Sequence, residues 1–171
     1  MGSGKGKRYS GTTGAKAGTG PHARTMHSKV NNWAKDKASE LEKKSKRQRD
    51  KFNTAAVVYD ESTQKYYYGM NRGIQLDNAN KNPILFGDDH TKGILPEKSL
   101  NNYSVGNCAE VHAINKALND GAKLKDLHIT TIHTESKSMG NPKEACENCT
   151  YAFKKKIKHN NTGWHKKEKH K

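Results

Sequence analysis

The alternation of apolar and polar positions divides the chain into a few clear elements. Residues 28–51 contain neither Gly nor Pro and are rich in Ala, Lys, Glu and Leu. Val30, Trp33 and Leu41 recur there at loosely helical spacing, which predicts a helix with Ser28 as N-cap. "TAAVVYDESTQKYYYGMN", 54–71, holds two β-favouring runs about a polar centre and predicts a hairpin turning near Asp60–Gln64. Residues 72–106 carry Gly, Pro, Asn and Asp throughout and predict a long connection, the kind that is usually functional or flexible. Cys108 to Asn119 reads as a second helix with Gly121 at C′. "LHITTIHT", 127–134, reads as a strand of β-branched residues. A loop with Gly140 and Pro142 precedes a third helix from about Cys146 to His159, and "GWHKK", 163–167, reads as one more short strand. The order α–β–β–α–β–α–(β) is that of a layered α/β domain.

Composition trims this picture. Only 31% of the 171 residues are apolar, so the packed core is expected to occupy about 100–120 residues between disordered flanks. Residues 1–27 read as a disordered Gly/Lys-rich lead-in, 28–51 as a basic helix, 52–159 as the core and 160–171 as a basic tail. There is no internal repeat, no apolar run near the ~20 residues that span a bilayer, and no signal peptide. The net charge of +15 is unevenly placed: residues 1–51 carry +10, residues 154–171 carry +7, and the middle carries −2. Lysine-rich ends can track a phosphate backbone, or they can be plain solvated surface. Charge alone does not decide between these.

The chemistry concentrates in three cysteines. Cys108, Cys146 and Cys149 are an odd set, which argues against a closed disulfide framework and for a metal or reactive-thiol site. Cys146 and Cys149 stand at i and i+3 in the first turn of a predicted helix, so their sulfurs share a face. Cys108 opens another helix, and helix N-termini favour thiolates. Three thiolates could hold Zn²⁺ with its fourth position open to water, the ligand count of a catalytic site. Glu110, two residues past the first thiol, is near enough to act on that water without being a ligand. The competing reading is a structural zinc whose fourth ligand is one of the nine histidines. His112 reads as packing, and neither His128 nor His133 is needed as a ligand.

These residues resemble the zinc-dependent nucleoside and nucleic-acid deaminase superfamily, whose signature is His/Cys-x-Glu followed by Pro-Cys-x-x-Cys. The two halves here are "CAE", 108–110, and "ACENC", 145–149. "CAEVHAINKA" looks like the free cytidine deaminases, whereas the Gly-rich lead-in and short basic end look more like the deaminase domains of bacterial polymorphic toxins, the YwqJ-like group. The resemblance covers roughly residues 52–153, with 28–51 matching the family's first helix. It implies a cytidine deaminase-like three-layer α/β/α fold with a central mixed sheet, truncated at the C-terminal edge. It implies Zn²⁺ held by Cys108, Cys146 and Cys149, with Glu110 moving protons between water, ring nitrogen and leaving ammonia. Asn71, at a strand end, matches the family's sugar-contacting Asn, and Ala109 lies in the motif. Tyr68 is a candidate to stack a base, and His90 in the long connection a candidate to meet substrate. Two features depart from the pattern: Ala145 replaces Pro, and only 22 residues follow Cys149, which leaves the closing of the sheet edge open.

Three functions follow. The favoured one is a deaminase converting cytosine to uracil in nucleic acid, DNA rather than RNA and single-stranded by preference. It would act as a secreted interbacterial toxin domain in the target-cell cytoplasm, as a monomer, with an acidic cognate immunity protein as partner. The second is a free cytidine deaminase. The third is a non-enzymatic basic nucleic-acid-binding module in which zinc only staples the fold.

Overall fold

The hairpin anchors the molecule because its first strand is buried on both faces. In the computed structural model, which describes residues 17–166, strand β1 (Thr54–Asp60) is buried along its whole length and pairs on both edges. Strand β2 (Lys65–Met70) lies antiparallel on one side and strand β3 (Leu127–His133) antiparallel on the other. A two-residue strand β4 (His159–Asn160) adds parallel to β3, so the sheet order is β2-β1-β3-β4. Asp60 builds the hairpin turn. Its Oδ1 accepts from Ser62 N–H and Oγ, and its Oδ2 from Thr63 Oγ1, while Gln64 takes the left-handed φ of 63°.

Successive residues of β1 point to opposite faces, and each face has its own core. Ala55, Val57 and Tyr59 pack under helix α1 (Ala23–Lys44) against Met26, Val30, Ala34, Ala38 and Leu41. Ala56 and Val58 face helix α5 (Ala109–Asn119) and helix α6 (Glu147–Phe153), with Ile114, Ile129, Cys149 and Phe153 around them. The result is a three-layer α/β/α arrangement about a mixed sheet, as the resemblance implies. Its C-terminal edge is short.

The boundaries differ from the sequence expectation where tertiary contacts decide them. Helix α1 begins at Ala23 with His22 as N-cap, so Ser28 lies inside it. Residues ahead of it are pinned: Thr19 N–H donates to Asn161 O at 2.9 Å. Gly18 passes so close, at φ 85°, that a Cβ would sit 2.1 Å from that carbonyl. The expected lead-in of 1–27 is therefore helix and bound chain from residue 17 onward, and residues 1–16 lie outside the described part. The predicted helix to Lys51 breaks at Ser45, which turns extended and caps helix α2 (Lys46–Lys51) by accepting Gln48 N–H. Trp33 is not in the buried stripe; it stacks on Tyr68 with ring centroids 5.6 Å apart. The expected strand at 163–167 is absent among the described residues. The strand falls at His159–Asn160 instead, and α6 stops at Phe153. The expected tail, as far as residue 166, folds back: Ala145 N–H donates to Gly163 O and Trp164 packs on the second core. Residues 167–171 lie outside the described part.

The connection 72–106 is ordered by packing and by asparagines. It carries two single-turn helices, α3 (Gly73–Leu76) and α4 (Pro83–Phe86), and buries Leu85 and Leu95. Asn115 of α5 accepts Asn82 N–H and donates to Asn80 O, while Asn148 of α6 accepts Leu100 N–H and donates to Ser99 Oγ. Such buried amides satisfy backbone groups that an irregular segment leaves unpaired. Replacing Asn115 with Ala is expected to cost about 1–3 kcal/mol in urea unfolding and to open the connection near residues 77–82 to limited proteolysis, with the sheet intact.

Candidate metal centre

Two helices start at one place. Cys108 is the N-cap of α5 and Cys146 the N-cap of α6, both extended in backbone, and neither side chain spends itself on capping. Cys149, one turn into α6, is fully buried. All three are free thiols with sulfurs within 4.8 Å of one another, and Cys108 Sγ lies 2.9 Å from Cys146 Sγ. What brings α5 so near the sheet is Gly69 of β2. A Cβ there would meet Ala109 O and Ala113 N at 2.5 Å. Beside it, buried His112 accepts Met70 N–H at Nδ1 and donates from Nε2 to Asp77 Oδ2 at 2.6 Å, bolting α5 to the end of β2. Burial, chiefly, lowers the His112 pKa, which keeps that acceptor nitrogen free of a proton. His112 is thus packing, as its spacing suggested.

The thiols do not titrate alike. Cys146 falls to about 3, because Cys108 and Cys149 direct their S–H groups at it and the backbone N–H groups of Cys149 and Asn148 add to them. Cys108 and Cys149 rise, as the donors of those bonds and through burial. One thiolate with two S–H groups turned toward it is a donor set that fits a soft-ligated divalent cation: the ion replaces the two protons and leaves the cluster at the same single negative charge. The N–H groups at the start of α6 offset the negative charge of three sulfurs, and Lys143 supplies a cation nearby.

Glu110 stands one helical step inside. It is 3% exposed, and its Oε2 accepts from Thr131 Oγ1 of β3 at 3.2 Å. Burial pushes its carboxyl up to about 7, the Cys146 charge adds to this, and its own N–H, Lys143 and Thr131 pull the other way. Glu110 with Cys108, Cys146 and Ala109 forms one wall of a cleft of about 600 Å³. The other lining groups include Asn53, Thr54, Tyr103, His133, Lys143 and His165.

The predicted substrate contacts divide. Asn71 lines the cleft, but its Oδ1 accepts from Asn53 N and Thr54 N and its Nδ2 donates to Lys51 O, so one amide hydrogen remains uncommitted. Ala109 lines it with its backbone turn. Tyr68 does not reach it: residue parity on β2 turns the ring to the α1 face, onto Trp33. Neither does His90, an exposed residue in a turn closed by Asp88. Both expectations are corrected by where the chain places these side chains. The fold adds Tyr103, Lys143 and His165 to the cleft. Lys143 alone carried a signal, a cation three residues before the CxxC. His165 belongs to the expected tail, brought in by its N–H bond to Thr150 Oγ1. The Ala145 departure also acquires a reason: its N–H bonds Gly163 O, which a proline could not do.

Comparisons with known proteins agree with this geometry. No curated protein and no solved structure matches the chain. The family model of the cytidine and deoxycytidylate deaminase zinc-binding region matches residues 28–159, from within α1 through the first residue of β4. With a match over more than half of its length that takes in both cysteine-bearing helices, the chain belongs to the cytidine and deoxycytidylate deaminase zinc-binding family.

Proposed function

We propose that this zinc-dependent deaminase acts on cytosine in single-stranded nucleic acid, DNA in preference to RNA, with Glu110 as its proton carrier. The observation that carries the chemistry is a buried carboxyl, poised near neutrality, on the cleft wall beside three converging thiols. Cys108, Cys146 and Cys149 would hold the zinc. When bound, the ion supplies the Lewis acidity that makes water nucleophilic near neutral pH. Water adds at C4 of the base and ammonia leaves, giving uracil. Glu110 takes the proton that water sheds, delivers it to ring N3, and helps protonate the departing amine. Thr131 holds one carboxyl oxygen and so fixes the orientation from which both transfers are made. Lys143, anchored on Thr54 Oγ1, keeps positive charge facing the developing negative charge of the site.

The polymer reading rests on the rim. Tyr103 is 67% exposed at the cleft, a platform on which a base can stack. Lys143 and His165 line the same cleft, and the chain carries a charge of +15, suited to a phosphate backbone. The resemblance to polymorphic-toxin deaminases of the YwqJ-like group supports a role as a secreted effector domain in the target-cell cytoplasm. An acidic immunity protein covering this cleft is the partner that such a role requires.

Glu110→Gln is expected to lower the deamination rate by roughly 10²–10⁴-fold while zinc stays at one equivalent per chain by elemental analysis. A variant that keeps its activity removes Glu110 from the mechanism. Incubation with single- and double-stranded DNA, RNA and free cytidine, followed by sequencing and ammonia measurement, is expected to give C-to-U changes in single strands above a Glu110→Ala control. Turnover of cytidine alone would make the chain a metabolite deaminase. Tyr103→Ala is expected to raise KM for a single strand with little change in kcat, by the equivalent of about 1–3 kcal/mol of base stacking.

A further inference from the structure

At the end of the sheet away from the cysteines, a second group of donor side chains meets. His22 precedes α1, Glu61 follows β1, and His128 is the second residue of β3. One donor atom from each lies within 4.8 Å of the others. His133, at the far end of the same strand, lines the cleft. At about 3.3 Å per residue, His128 lies about 16 Å along the strand from His133 at the cleft, and deamination makes no use of this group.

His128 is the informative member. It is 2% exposed, and its Nε2 lies 2.9 Å from Glu61 Oε1. A carboxylate only accepts, so Nε2 carries the proton and Nδ1 is left with a lone pair. That Nδ1 is buried, and among the described residues no side chain or backbone group donates to it. Buried acceptors are rarely left this way, because the desolvation goes uncompensated. The ring of His22 stands edge-on to that of His128, centroids 4.9 Å apart, and brings another imidazole to the same place. Glu61 accepts hydrogen bonds from both His128 and Lys158. Lys158 binds only Oε2, at 2.8 Å, so Oε1 remains on the histidine side. His159, also beside His128, is committed through Nε2 to the Thr19 carbonyl.

We infer that His22, Glu61 and His128 form a second metal site, for a zinc-class divalent cation, that clamps the start of α1 to the sheet. Two imidazoles and one carboxylate suit Zn²⁺, Co²⁺ or Ni²⁺, whereas Ca²⁺ and Mg²⁺ demand more oxygen donors. The cation takes the place of the proton that His128 Nε2 shares with Glu61 Oε1, and that proton moves to Nδ1, whose lone pair has no donor among the described residues. Its three donors come from the residue before α1, the hairpin turn and β3, so binding ties one helical layer to two strands. An ion bound only by the folded chain stabilises it.

The test uses the full chain with its cysteine site already holding one equivalent of zinc, titrated with Co²⁺. The expected result is one further equivalent showing d–d absorption without a thiolate-to-cobalt charge-transfer band, accompanied by a rise in Tm. His22→Gln and Glu61→Gln are each expected to weaken this binding roughly tenfold or more, leaving the first zinc in place. His22 is partly exposed, so its variant tests the site even where a change at buried His128 disturbs folding. Saturation at a single ion per chain overturns the inference. So does a second ion that binds the His22→Gln/Glu61→Gln double variant as tightly as the parent.

Discussion

The close approach of α5 to β2 is the contact on which the candidate site depends. Without a side chain at Gly69, the backbone of Ala109 and Ala113 rests on the strand, and His112 locks the register by taking Met70 N–H. This places the first turn of α5 over the end of the sheet, where Cys108 and Glu110 face the cleft. The helix α6 arrives at the same point from the opposite end of its own loop. The two N-termini then aim their first-turn N–H groups and positive dipole ends into one small volume, which is where thiolates are most easily held. Metal ligation and proton transfer follow from that geometry.

Electrostatics in this volume are divided between neighbours. The cysteine cluster gives up its first proton readily at Cys146, while Glu110, enclosed and next to that charge, holds its proton to about 7. A carboxyl so placed can exchange a proton in either direction near neutral pH, which a surface glutamate cannot. Thr131 and Lys143 limit the rise and keep the group from becoming a permanently neutral acid. Nothing in this division needs a histidine, although His133 and His165 line the cleft.

The long connection and the C-terminal segment show how a chain with few apolar residues still builds walls around such a site. Leu85 and Leu95 join the connection to the core shared by α5, α6 and the sheet, and buried asparagines on α5 and α6 serve as its hydrogen-bond posts. The last described residues close the other side by pairing with the loop ahead of Cys146. The segment that binds Asn161 at the front of α1 ties the same end down from behind. Amide hydrogen bonds do here what apolar contacts do in a richer chain.

Period and local chemistry were enough to specify the hairpin, the strand at 127–133, the helices behind Cys108 and Cys146, and the pairing of three thiols with Glu110. Each rests on contacts between near neighbours in the chain or on side-chain types with few other uses. The start of α1 at Ala23, the break at Ser45, the two-residue β4 and the exclusion of Tyr68 and His90 from the cleft were set by partners distant in sequence. So were the arrival of Tyr103, Lys143 and His165 and the meeting of His22 with His128. A strand's alternation says that Tyr68 and Tyr67 face opposite ways, but only a helix packed on one face says which of them is hidden from the site.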